Sequence, residues 1–487
     1  MSLFSRFVIG LALAVALRAQ ESPPAPTPAQ PSSPTSAPDQ SVTSDSQTAP
    51  TPAAAAPQTV PDDQAAPANP GPGILSRTFT TTPLEDQELR FRPYISLSGI
   101  ADNGLTAPTN STTGKITNTL NYGVDLGFGI TGRRIFKHDT FELEFSGDAF
   151  AYSPTSSFDG GNYLLMANYT HKFNKRISLA FTENAGLYSN NYTLPSASSD
   201  LSLGGTQQLV TPNTQVFDNT TLSLSSGVDL LVQETNRLSF DFGGSGFLVH
   251  HDSSLLYGTT GAQARADVSY RFTRHLTFGG YYGFTDYQFS NAFGGSQTNT
   301  VGLEFSDQFT KAWQLRLRVG GSRVSTLGTQ TIPLDPTIAA ILGETTGEVT
   351  IRRTNYIPDL TAQLAKAYRV GSASLEFLES VNPGNGLMLT SRHVLISGHY
   401  DYNGLRRWTL SAGASRDVLD TLGVSIGNYT SYIAHVGVGR TIARGFQANL
   451  VAEYRHYDLA DVAFLRNAYR ISLGFTWSPG ERPVRFN

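Results

Sequence analysis

The stretch AYRISLGFTW, residues 468–477, decides the fold. Tyr469, Ile471, Leu473, Phe475 and Trp477 fall on one face, and Arg470, Ser472, Gly474 and Thr476 on the other. A period of two marks an extended strand with one apolar face. The same alternation recurs upstream in Leu120, Tyr122, Val124, Leu126 and Phe128, in Phe141, Leu143 and Phe145, in Leu276, Phe278 and Tyr282, and in Trp313, Leu315, Leu317 and Val319. Short connections such as FNKR (173–176), ETNR (234–237), FTRH (272–275) and FTKA (309–312) alternate with long loops rich in Ser, Thr, Asn and Gly. Strands of about ten residues joined in this way predict an all-β chain, a transmembrane antiparallel up-and-down β-barrel. Reading each run as one strand gives about eighteen, within a range of 16–20, over residues 91–478. A soluble sandwich or propeller also alternates, but it does not require short and long connections in strict turn.

Composition agrees. Of 487 residues 39% are hydrophobic and 15% charged, and the mean hydropathy is -0.20, as expected where an apolar outside averages against a polar inside. There is no cysteine, which excludes disulfides and thiolate metal sites. A net charge of -4 argues against nucleic acid as a partner. Residues 1–19 read as a signal peptide, with Arg6 before the apolar run Phe7 to Leu17 and Ala19 at the cut. Residues 20–73 hold 14 of the 26 prolines and no Lys or Arg, so they read as a disordered periplasmic tail. Residues 74–90 form a short pre-barrel segment, and 479–487 a C-terminal extension.

Motifs for chemistry are weak. GFGITG at 127–132 matches a dinucleotide string but enters a hairpin, without the helix that would hold a pyrophosphate. His250, His251 and Asp252 adjoin, but neighbouring strand residues point to opposite faces and make poor co-ligands. The run Arg455, His456, Tyr457, Asp458 is one His beside one Asp, not a triad. No enzyme activity, cofactor or metal is expected. The inward polar phase is more informative. Asp125, Glu142, Glu144 and Asp148 on the second and third strands would face Arg316 and Arg318 on the eleventh across the lumen, giving a transverse field. Arg265, Glu304, Arg455 and Arg470 complete the expected pore lining. The loop 326–348 carries the apolar run PTIAAILGE, which burial would place either in the lumen mouth as a constriction or against neighbouring loops. Ala412, Ala414, Ala434, Ala448 and Ala452 share the outward phase and suit a homo-oligomer contact.

The closing strand AYRISLGFTW and the hairpins FNKRISL and FTRHLTF resemble those of Gram-negative outer-membrane porin-like barrels, especially the porin-type barrels found beside exopolysaccharide systems. That resemblance implies an outer-membrane location with the N-terminal tail in the periplasm. Outer-membrane lipids, the barrel-assembly machinery and small polar solutes would be the partners. It makes Tyr469, Ile471, Leu473, Phe475 and Trp477 the assembly signal, although SPGERPVRFN follows Trp477 where the class ends on an aromatic residue. The expected activity is passive diffusion of small hydrophilic solutes; export of polysaccharide and a non-conducting structural or surface-binding barrel are the alternatives.

Overall fold

A computed structural model of the chain describes residues 91–103, 120–153, 159–189, 220–253, 256–290, 293–310, 312–333, 345–383, 389–422, 428–443, 445–459 and 464–478. Residues 1–90 and 479–487, with the expected signal, tail and extension, lie outside them. Eighteen strands are present among the described residues. They are β1 (Arg92–Asp102), β2 (Asn121–Ile135), β3 (Asp139–Ser153), β4 (Gly160–Lys172), β5 (Ile177–Tyr188), β6 (Thr221–Gln233), β7 (Leu238–His251), β8 (Gly258–Arg271) and β9 (Leu276–Ser290). The second half is β10 (Gly295–Thr310), β11 (Trp313–Pro333), β12 (Thr346–Tyr368), β13 (Gly371–Asn382), β14 (Ser391–Tyr402), β15 (Trp408–Thr421), β16 (Asn428–Ala443), β17 (Phe446–Leu459) and β18 (Phe464–Trp477).

Each strand pairs antiparallel with its sequence neighbours, and β1 pairs with both β2 and β18, so the sheet closes. Closure leaves no unpaired edge, the condition for a sheet in hydrocarbon. The short turns are built by their own side chains. Asn174 Oδ1 accepts the backbone N–H groups of Arg176 and Ile177 at 2.7 and 3.0 Å. Thr235 and Thr273 do the same for Arg237 and Leu238 and for His275 and Leu276. This explains the recurrent Asn or Thr two residues before a basic position: the side chain stands in for a backbone acceptor and holds the reversal.

Register fixes the faces. Ile95, Leu97 and Gly99 lie beside Trp477, Phe475 and Leu473 on one side and Phe128, Leu126 and Val124 on the other. These apolar side chains are exposed, Leu97 by 54% and Leu473 by 58%. They form the outer band that suits lipid. Phe136, Phe173, Phe272, Phe309, Tyr368, Trp408, Phe446 and Trp477 ring the short-turn end. Cations lie against aromatics of that end: Lys366 is 4.4 Å from the Trp313 ring centre and Arg440 5.0 Å from Trp408. Lys366, which interrupts the apolar phase of β12, is thus an interfacial anchor.

Two expectations change. The strand after the expected loop 326–348 begins at Thr346, and β11 runs on to Pro333, so β12 and β11 reach 23 and 21 residues. Most of the supposed loop 326–348 outside 334–345 is therefore paired strand, because Thr326 to Pro333 find register partners from Arg353 to Thr346. PTIAAILGE itself lies outside the described residues.

An outward carboxylate interrupts the apolar band. Glu183 sits halfway along β5, between Ala167 of β4 and Ser226 of β6, and accepts the Ser226 hydroxyl at 2.5 Å. A carboxylate at that depth opposes lipid solvation. Replacing Glu183 with Leu is expected to stabilise the folded barrel by roughly 1 kcal/mol in a lipid-bilayer unfolding titration; a loss of stability would mean that protein rather than lipid covers this point.

Candidate lumenal site

The face opposite the apolar band carries the charges. Asp125, Glu142, Glu144 and Asp148 share it, as do Arg265, Glu304, Arg316, Arg318, Arg455 and Arg470. They gather into two networks rather than two opposed walls. In the first, Arg133 pairs with Glu142, Arg470 reaches Asp125 at 3.8 Å, and Arg455 pairs with Glu453. Asp148 accepts Asn162 Nδ2 at 3.0 Å. Asp102 stands opposite Arg470 in the β1–β18 register.

The second network spans β6 to β12. Arg265 donates to Asp229 at 2.5 Å, to Asp241 at 3.2 Å and to Asp267 at 2.7 Å. To reach Asp229 its side chain must cross β7, and Gly243 lies beneath it; a Cβ there would collide with both Arg265 and Asp229. Tyr281 of β9 makes a longer crossing. Its ring passes over Gly302 of β10 and Gly320 of β11, where a Cβ would meet its hydroxyl. That hydroxyl donates to Asp359 of β12 at 2.5 Å. The Arg318 guanidinium stacks 3.5 Å above the Tyr281 ring centre, 3.9 Å from Asp359 and opposite Glu304 in register. Arg318 is therefore flanked by acids, and Arg316, beside Ser306 and Gln363, is the less paired member of the expected positive wall. Local pairing of this kind weakens any field between β2 and β11.

The sequence reading missed Asp229, Asp241, Tyr281 and Asp359 as members of these networks. Arg265-x-Asp267 is legible, since residues two apart share a face. The cross-strand partners needed the register.

Towards the long-loop end the inner face turns apolar. Phe247, Tyr287 and Phe289 cluster there, with Leu389 from the β13–β14 connection packed against them. Phe247 and Tyr287 flank Gly261 in register, and a Cβ on Gly261 would strike both. Thr390 is buried within interaction distance of the Tyr287 hydroxyl. Leu389 and Thr390, the described residues just before β14, thus lie at this cluster.

Several solved structures resemble the chain at low identity. OpdQ of Pseudomonas aeruginosa is 12% identical over 80% of this chain and 97% of its own, with a TM-score of 0.38. OccK2 (OpdF) of the same organism, solved in complex with glucuronate, is 12% identical over 81% and 99%, with a TM-score of 0.40. OccAB3 of Acinetobacter baumannii is 10% identical over 80% and 99%, with a TM-score of 0.39. No family model and no curated protein matches the chain. At this level of likeness the fold rests on the chain's own strand pairing.

Replacing Gly302 with Val is expected to lift Tyr281 off the wall, destabilise the barrel by about 1–3 kcal/mol, and lower the temperature at which its folded gel band is lost. Tyr281→Phe, which keeps the ring and loses only the bond to Asp359, is expected to cost less in the same assay.

Proposed function

We propose that this chain is an outer-membrane pore for small hydrophilic solutes, with a preference for cations. The observation that carries the reading is the division of the closed sheet into an apolar outer face and an inner face holding the charged networks. Charged side chains at strand depth are tolerated where water reaches them, not in hydrocarbon. An eighteen-strand wall, with strands about 4.8 Å apart and tilted about 40°, has a backbone diameter of roughly 36 Å, wider than side chains alone fill. Along the inner face carboxylates outnumber arginines: Asp229, Asp241 and Asp267 surround the single Arg265, and Glu304 and Asp359 flank Arg318. Excess negative charge on the wall raises the local concentration of cations and repels anions.

The test is current across a planar bilayer containing the folded chain under a KCl gradient. The expected reversal potential is that of a potassium-preferring pore, and replacing Asp229, Asp241 and Asp267 together with Asn is expected to move it toward chloride. Absence of any current would leave the non-conducting reading.

The packing of Leu389 on Phe247, Tyr287 and Phe289 supports a constriction toward the long-loop mouth. Leu389→Gly and Tyr287→Ala are each expected to raise single-channel conductance, and unchanged values would remove the constriction.

The barrel's ends lie with the short turns, the periplasmic side of bacterial barrels, which fits a periplasmic N-terminal tail and insertion by the barrel-assembly machinery. Tyr469, Ile471, Leu473, Phe475 and Trp477 line the outer face of the last strand, each exposed by 41–58%, where an assembly factor could read them. Trp477→Ala is expected to lower the amount of folded barrel in membranes more than Phe486→Ala does.

A further inference from the structure

Two histidines on neighbouring strands converge over one glycine of the inner wall. His399 of β14 pairs in register with Gly413 of β15, and Gly413 pairs with His435 of β16. The glycine has no side chain, so both rings approach over it, and a Cβ there would collide with His435 Cε1. The point where a Gly413 side chain would begin lies 2.9 Å from His435 Nε2 and 3.2 Å from His399 Nδ1. The ring centres are 5.8 Å apart. Two imidazoles sharing one metal ion at about 2.1 Å hold their centres about 5–6.5 Å apart.

The protonation pattern suits a ligand. His399 Nε2 is 2.9 Å from Asp401 Oδ2. An ionised carboxylate only accepts, so Nε2 carries the proton and Nδ1 keeps its lone pair. This is the carboxylate–histidine arrangement that orients metal-binding imidazoles. The lone pair is on the nitrogen that lies nearer the Gly413 position, 3.2 Å from where a side chain would begin. The site is open to the lumen, with the His399 side chain 39% exposed. Glu453, the register neighbour of His435, is held by Arg455 and is not free to add a third bond. Among the described residues no three donors converge on one point.

We propose that His399 and His435 form a two-imidazole station for a divalent first-row transition-metal ion, with water completing its coordination. Nitrogen donors select Cu²⁺, Ni²⁺ and Zn²⁺ over the oxygen-preferring Mg²⁺ and Ca²⁺. Two protein ligands give a site that loads and releases quickly, as a passage requires and a resident cofactor site does not. The proposal rests on the reading of the inner face as a water-filled lumen, and the negative wall would concentrate such ions there.

The test uses the full chain, free of any polyhistidine tag, folded in detergent micelles, with Cu²⁺ as the probe. Electron paramagnetic resonance is expected to show nitrogen coordination from two imidazoles, and added Zn²⁺ to displace the copper while Mg²⁺ does not. His399→Gln and His435→Gln are each expected to weaken binding at least tenfold. Gly413→Ala, which retains both imidazoles but forces the His435 ring aside, is expected to do the same. His250→Gln, at the far end of β7, should leave binding unchanged. Folding of every variant is checked by its heat-modifiable gel band. Copper held as tightly by both histidine variants as by the parent chain would overturn the proposal, as would a spectrum without two imidazole nitrogens. The readout does not use current, so a non-conducting barrel that still binds copper would refute only the pore, and a conducting barrel without copper binding only the station.

Discussion

Everything in this barrel depends on one pairing. β1 bonds to β2 in the ordinary order of the chain, and it also bonds to β18, so the first and last strands share a ladder from Ile95 and Trp477 to Asp102 and Arg470. Without it, β1 and β18 would each present a row of free N–H and C=O groups to lipid, where no water can satisfy them. With it, the backbone is internally bonded around the circle and the side chains are free to divide between two solvents. The apolar band, the aromatic ring and the charged inner face all follow from that division.

Most of this was legible in the sequence. Alternation gave the strands, and Asn174, Thr235 and Thr273 marked the reversals between them. The sequence was misleading where its signals are ambiguous. Residues 326–333 and 346–348, TLGTQTIP and TGE, are rich in Thr and Gly and read as parts of a loop, yet they belong to the projecting end of a long hairpin. Above the membrane a strand needs no apolar face, so the periodic signal fades while the pairing continues. Glu183 was overlooked for the opposite reason: it lies on the apolar phase of a regular strand, where only neighbouring Phe181, Ala185 and Leu187 announce its side.

The inner face was only half legible. Phase placed Arg265, Glu304, Arg318 and Arg470 inward, but their cross-strand partners sit one or two strands away and that of Tyr281 three, and the longer reaches are set by glycine. Gly243, Gly302 and Gly320 present no side chain, so Arg265 and Tyr281 lie along the wall instead of projecting into the lumen. Each glycine converts a side chain that would obstruct the channel into a strap that ties adjacent strands together. Gly413 acts in a related way, because two imidazoles from the strands on either side approach each other over it. Such relationships are written in register, and register is set by the turns and the pleat together.

The two ends of the barrel also touch outside the ladder. Ser478 Oγ donates to the carbonyl of Pro93 at 3.0 Å, and the backbone N–H of Ser478 bonds to the carbonyl of Gly445. The start of the wall and its finish are thus neighbours on the rim that carries the short turns. Topologically the wall is a ring in which the gap between Ser478 and Phe91 is one more tight turn. The place at which the polypeptide is cut open is then an accident of the gene, not a property of the wall. A circular permutant joined across that gap and opened at the Asn174 or Thr273 turn would keep the same eighteen strand pairings, and only the order in which they are synthesised would differ.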